Sequence, residues 1–183
     1  INTVYKVQME GLMRLKAMAK INLGLDVLGK REDGYHEVRM IMQTIRMYDI
    51  LDIRKTRRPG IVLTTNLPFI PTDQRNLVYK AAQMLMEEFD VEEGLSIKLR
   101  KFIPVAAGMA GGSSDAAAAF VGVNRMFHLG LTEEQLMERA VKVGADVPYC
   151  IMRGTALAEG IGEKLTRLPE VPKCYVLIGK PGI

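Results

Sequence analysis

Between residues 106 and 120 the chain reads AAGMAGGSSDAAAAF, a glycine-rich run with two serines that passes directly into four alanines. No other stretch constrains the fold as much. Glycine admits backbone conformations closed to other residues, so the first half is a loop. Alanine is the strongest helix former, so the second half is a helix beginning at the serines. Helix N-termini leave backbone N–H groups unpaired and carry a partial positive charge, which makes a glycine loop entering one a cradle for phosphate oxygens. Gly108, Gly111 and Gly112 are expected to let the backbone approach oxygens that a Cβ would hold away, with Ser113 and Ser114 adding hydroxyls at the cap. Two phosphate fingerprints fail residue by residue. A P-loop needs Lys where Ser113 stands, and the dinucleotide GxGxxG is broken at Ala110. From the residues alone, a serine-capped turn before a closely packed alanine helix stays open as the alternative.

The rest of the chain supplies a domain around that loop. Its 183 residues, 48% hydrophobic, are enough for one core. The short alternating run over 14–28, turn chemistry at REDGYHE with Asp33 and Gly34 at a hairpin tip, and a resumed strand over 38–45 give two or three strands. Segments 49–56 and 61–65 read as a further strand pair, and 96–101 as a strand ended by Pro104. A first helix follows Asn76 as cap, a second runs over 114–127 with Gly130 closing it, and a third starts at Thr132 with Glu133 and Glu134 in its first turn. Segments 154–160, 163–168 and 174–180 finish as strands. The class is therefore α+β with a largely antiparallel sheet.

Charge and cysteine usage narrow the function. Lys and Arg number 25 against 21 Asp and Glu, a net charge of +4 that suits phosphorylated small molecules without demanding nucleic acid. The basic clusters at 54–58 and 98–101 read as a solvated turn and a charge-protected strand edge. Cys150 and Cys174 lack CxxC spacing and sit among apolar neighbours, as buried thiols of a reducing cytoplasm do. No apolar run approaches the ~18 residues of a membrane span. Residues 1–13 precede the patterned sequence and read as an extension.

PVAAGMAGGSSDAAAA resembles the second motif of the GHMP kinases, in which proline precedes a glycine-rich loop, two serines and an alanine-rich helix. Three more stretches resemble the branch of those kinases that acts on a cytidine diphosphate derivative of methylerythritol: AKINLGLDV over 19–27, REDGYHE over 31–37 and GADVPYC over 144–150. The four matches occur in order. The resemblance implies a ribosomal-protein-S5-domain-2-like fold over 14–183, the N-terminal ATP-binding domain of such a kinase, with a further C-terminal domain in the family that this chain lacks. It implies ATP and Mg2+ as cofactors, a small-molecule substrate, no nucleic acid or membrane partner, and phosphorylation of a substrate hydroxyl on the non-mevalonate route to isoprenoid precursors. Oligomeric state is not legible.

The resemblance also assigns residues. Lys20 and Asp146 are the catalytic pair, the carboxylate taking the proton of the attacking hydroxyl and the ammonium holding that hydroxyl, which is the positioning chemistry phosphoryl transfer needs. Asn22, two residues beyond Lys20 on a strand, faces the same side and is expected to meet substrate. Tyr35 is expected to stack on cytosine and His36 to hydrogen-bond its edge. Pro104, Val105, Ala106, Ala107, Gly108, Met109, Ala110, Gly111, Gly112, Ser113 and Ser114 form the ATP loop, with Ser114 as a Mg2+ ligand. His128 is explained by a helix C-terminus alone. A homoserine or mevalonate kinase is the alternative within enzymes, against which the DGYH tip argues. A non-catalytic RNA-binding module is the alternative outside them, against which the absence of an aromatic-interleaved basic stripe argues.

Overall fold

In the computed structural model, which describes residues 11–180, strand β2 (His36–Thr56) is the spine of a six-stranded sheet. β1 (Leu12–Lys30) pairs antiparallel with one edge of β2 along nearly its whole length. The opposite edge is shared, β5 (Thr155–Gly160) taking the first half of β2 and β4 (Gly94–Arg100) the second, both antiparallel. β3 (Ile61–Thr65) and β6 (Lys164–Arg167) are the outermost strands on that side, giving the order β3-β4-β2-β5-β6. The expected class is observed, with the β3–β4 ladder as its parallel exception.

That exception corrects the sequence reading. Residues 49–56 and 61–65 do not pair; β3 instead lies parallel to β4, with α1 (Leu77–Glu88) as the crossover that a parallel pair requires. β4 is consequently an inner strand, so Leu95, Ile97 and Leu99 enter the core while Lys98 stays exposed. Its end is no charged edge, because Lys101 is buried. Residues 54, 55, 57 and 58 are exposed as expected. Segments 38–45 and 49–56 are one continuous strand, whose pairing with β1 shifts register where residues 45–47 of β2 bulge opposite Ala19.

Four helices complete the molecule: α1, α2 (Gly111–Met126), α3 (Glu133–Ala140) and α4 (Val147–Met152). Asn76 caps α1 and Thr132 caps α3 through their side chains, both as read from sequence, and Gln135 completes a capping box at α3 that the sequence reading did not name. α2 differs. It starts at Gly111, with Ala110 in the left-handed region as its cap, so the serines lie inside the first turn. Its end is closed by His128 at φ 54, not by Gly130, and Leu129 N donates to Asn124 O across that turn. α2 is buried continuously from Ser114 to Phe120 because β1, β2, α1 and α4 all pack on it. The alanine run is therefore core, its small side chains letting four neighbours close on one helix. α4 was not visible in the sequence, and segment 174–180 carries no strand. Cys150 is buried, whereas Cys174 is exposed. Most of the extension expected over 1–13 lies outside the described residues, and β1 takes up from Leu12. No helix among the described residues is long and apolar enough to cross a membrane.

Candidate active site at the glycine loop

The loop between β4 and α2 is anchored from below by a small apolar cluster of Ala19, Ile103 and Met109, flanked by Ile45 and Met47 of the β2 bulge. Met109 is thus the loop's buried foot, and its carbonyl accepts from Lys20 N at 3.2 Å. One bond deeper, the Ser114 hydroxyl donates to Met18 O at 2.6 Å. Two hydrogen bonds on either side of Ala19 therefore tie the loop and the start of α2 to the strand that carries Lys20.

Residues 104–112 line one side of a cavity of about 370 Å³, with Ile70, Pro71, Arg75, Asn76 and Leu77 on the other and Lys101 and Asp115 at its floor. The first backbone N–H of α2 with an intrahelical partner is that of Ser114, bonded to Ala110 O. Those ahead of it face the open end of the helix, the arrangement an anion needs. The glycines do not act alike. Gly108 sits at φ +69 in open space, so conformation demands glycine there. At Gly111 a Cβ would lie 3.2 Å from both Ile103 Cγ2 and Lys101 Nζ, so the residue is small for inward packing and not for the approach of oxygens. Gly112 is under neither constraint, a Cβ there meeting Leu77 Cδ1 at 3.7 Å.

Lys20, Asn22 and Asp146 converge beside this loop. Lys20 is only 5% exposed; its ammonium lies 3.4 Å from Asp146 Oδ2 and donates to Asn22 Oδ1 at 3.1 Å. Asp146 is the N-cap residue of α4, a six-residue helix with Pro148 in its first turn. Its carboxylate makes no capping bond, which leaves it directed at Lys20, with a side chain still 30% exposed. A buried cation beside a partly open carboxylate, against a helix N-terminus, can orient a hydroxyl, accept its proton and bind the anion it attacks.

Tyr35 and His36 are placed elsewhere. They lie at the far end of the β1–β2 arm, where Lys30 pairs with His36, and both are exposed, Tyr35 to 59%. The tip is ordered by its own bonds. Asp33 accepts from Tyr35 N at 3.1 Å, Arg31 N donates to Tyr35 O at 2.8 Å, and the Arg31 guanidinium pairs with Asp33 and Glu37. Ser114 is 2% exposed with its proton on Met18 O, and Ser113 is half-buried. Among the described residues no group of three or more His, Cys, Asp or Glu could hold a metal ion.

Several residues of the site escaped the sequence reading. Lys101 bridges Asp49 and Asp115, bonding Asp115 Oδ2 at 2.6 Å. Asp49 Oδ1 in turn accepts from Phe102 N and, at 2.8 Å, from Ile103 N. Burial pushes the Asp115 carboxyl well above the ordinary carboxylate range, against the pull of the Lys101 ammonium. Asp115 Oδ1 has no hydrogen-bond partner among the described residues. The signal that could have found this cluster was the aspartate in GGSSD, an acidic residue in a run otherwise too small and apolar to be solvated.

Comparison with known proteins follows the same lines. The GHMP kinases N terminal domain matches residues 76–154. The chain is 57% identical over 171 residues to a 4-diphosphocytidyl-2-C-methyl-D-erythritol kinase of Lachnospira eligens, covering 93% of this chain and 59% of that protein. It is likewise 57% identical over 172 residues to the kinase of that name from Lachnoclostridium phytofermentans, covering 94% and 59%. The chain thus spans about 59% of the length of these curated relatives. A crystal structure of 4-(cytidine 5'-diphospho)-2C-methyl-D-erythritol kinase superposes with a TM-score of 0.74 at 35% identity, over 85% of this chain and 55% of that one. A homoserine kinase from Cytophaga hutchinsonii shares the fold at TM-score 0.70 and 19% identity, over 91% and 55%. With its glycine loop, its α+β sheet and relatives that align with nearly all its residues, the chain carries the N-terminal domain of the GHMP kinases.

Proposed function

We propose that this domain transfers the γ-phosphoryl group of ATP to a hydroxyl of 4-diphosphocytidyl-2-C-methyl-D-erythritol, a cytoplasmic step toward isoprenoid precursors. The observation that carries this reading is the Lys20–Asp146 pair, 3.4 Å apart and tied through Lys20 N to the loop at the mouth of α2. The ATP phosphates occupy the loop of residues 104–114 and the N-terminus of α2. The Lys20 ammonium, steadied by Asn22, holds the substrate hydroxyl. As the oxygen attacks the γ-phosphorus, its proton passes to the Asp146 carboxylate, the bond to the β-phosphate oxygen breaks and ADP leaves. Positioning and electrostatics supply the rate, as this chemistry requires. Asn22 doubles as a substrate contact, while Tyr35 and His36 on the ordered tip present a ring and an imidazole to the cytosine.

Mg2+ comes with the nucleotide in this reading and neutralises its phosphates. Ser114 does not fit the ligand role expected of it, since its hydroxyl is buried and donates to Met18 O. The ion would be held mainly by phosphate oxygens and water, as Mg2+ commonly is.

The test is ADP release coupled to an indicator reaction, with and without the cytidine substrate. Release that depends on the substrate supports the reading, and its absence sinks it. Asp146→Asn is expected to lower kcat by ~10²–10⁴ while the KM for ATP stays near the parent value. A kcat within a few-fold of the parent would reduce Asp146 to a helix-start residue.

A further inference from the structure

Lys20 belongs to β1 and Asp146 to the start of α4, so their separation depends on whatever fixes α4 against the sheet. The fixing point is Thr44, the cross-strand partner of Lys20 on β2. Gly154 N donates to Thr44 Oγ1 at 3.1 Å, and Tyr149 OH donates to Gly154 O at 2.7 Å. Thr44 Oγ1 and Tyr149 OH are 3.0 Å apart, and with the tyrosine proton already committed, the threonine hydroxyl is the donor between them. Three hydrogen bonds therefore close a ring, Gly154 N to Thr44 to Tyr149 to Gly154 O. Thr44 N adds a fourth bond to Gly154 O at 3.0 Å.

Tyr149 is three residues beyond Asp146, so the two project from the same side of α4. The link between α4 and Gly154 is Arg153, held at φ 58 and ψ −176, a region that only glycine occupies readily. Such a conformation persists only where neighbours over-determine it. Here they do: Arg153 N donates to Tyr149 O at 2.7 Å and its guanidinium to Lys16 O of β1 at 2.9 Å.

We infer that Thr44 and Tyr149 are positioning residues: the hydrogen-bonded ring they close with Gly154 sets α4 at the register of Lys20 and so holds the Asp146 carboxylate opposite the Lys20 ammonium. The inference rests on the kinase reading of that pair. Neither hydroxyl touches the cavity lined by the loop, so the ring acts on turnover and not on nucleotide affinity.

The experiment is steady-state kinase assay of the whole protein with Tyr149→Phe, Thr44→Val, their double variant and Thr44→Ser, each checked for folding by thermal melting. Tyr149→Phe removes one oxygen and keeps the buried ring. Each of the first two variants is expected to lower kcat about tenfold with the KM for ATP unchanged. The double variant is expected to be no worse than either single one, because both break the same ring, and Thr44→Ser to retain the parent rate. An unchanged kcat in Tyr149→Phe, or losses that multiply in the double variant, overturns the inference while leaving the kinase reading intact. A parent protein without substrate-dependent ADP release overturns both. Should Thr44→Val fail to fold, Tyr149→Phe against Thr44→Ser decides the matter alone.

Discussion

Two alanines of the glycine loop, Ala106 and Ala110, hold positive φ angles of 55 and 54. A Cβ in the left-handed region costs roughly 1–2 kcal/mol, so the loop carries strain that glycine at these positions would not. Ala106 is exposed, so removing its methyl group opens no cavity in the core. Ala106→Gly therefore relieves the strain and gives back about 0.4–1 kcal/mol in unfolded-chain entropy, for a net gain of roughly 0–1.6 kcal/mol. Urea unfolding reads this as a higher midpoint at unchanged slope. A lower midpoint would mean that the alanine's restriction of the unfolded chain outweighs its strain. Ala110 is a poorer site for the same change, since it is half-buried and packs against the core.

At the scale of elements, α2 is the one whose placement decides most. Its alanine run allows a close approach to the sheet, and Gly122 is packed against it so tightly that an added Cβ would fall 2.5 Å from Ile53 Cδ1 and 2.7 Å from Leu15 Cδ1. Gly122→Val should overpack this contact and cost ~1–3 kcal/mol, although glycine is the poorer helix former. Thermal unfolding checks it, and an unchanged or raised midpoint would show that Ile53 and Leu15 can turn aside. What the sequence revealed of these elements follows from how local each signal is. The cap at Thr132, the cap at Asn76 and the loop-to-helix step at 106–120 are written within a few residues, and all three are present. The pairing of β3 with β4, the shortness of α4 and the burial of Lys101 depend on partners far along the chain, which periodicity does not encode. The same holds at the site. Lys20, Asn22 and Asp146 were named from motifs, while Thr44 lies outside them and Tyr149, though inside GADVPYC, was assigned no role; their contact becomes visible only when β2 and α4 meet.

Across the whole molecule, the Asp49–Lys101–Asp115 cluster joins β2, the end of β4 and the first turn of α2 beneath the loop. Two buried carboxyl groups share one ammonium, and Asp115 Oδ1 finds no hydrogen-bond partner among the described residues. Removing one member of such a group leaves uncompensated charge and costs ~3–5 kcal/mol, whereas replacing the whole group by neutral side chains of similar shape is often neutral or stabilising. Lys101→Met should therefore destabilise by about that amount, and Asp49→Asn, Lys101→Met and Asp115→Asn together should restore most of the loss. The Asp49→Asn change keeps a side-chain oxygen in place to accept from the backbone N–H groups of Phe102 and Ile103, so those bonds survive in the neutral trio. The pH dependence has a definite sign. Burial raises the Asp115 carboxyl above its unfolded value, so the folded chain holds a proton that the unfolded chain has released. The associated stability is fully present below the unfolded carboxylate value and is lost as pH rises through the folded one. Urea midpoints measured from acid to alkaline pH should accordingly fall through that window in the parent, and Asp115→Asn should flatten the fall. If the slope survives in Asp115→Asn, the proton sits on another group, and if the neutral trio stays as unstable as Lys101→Met, the cluster stabilises the fold by its charges and not merely by its shape.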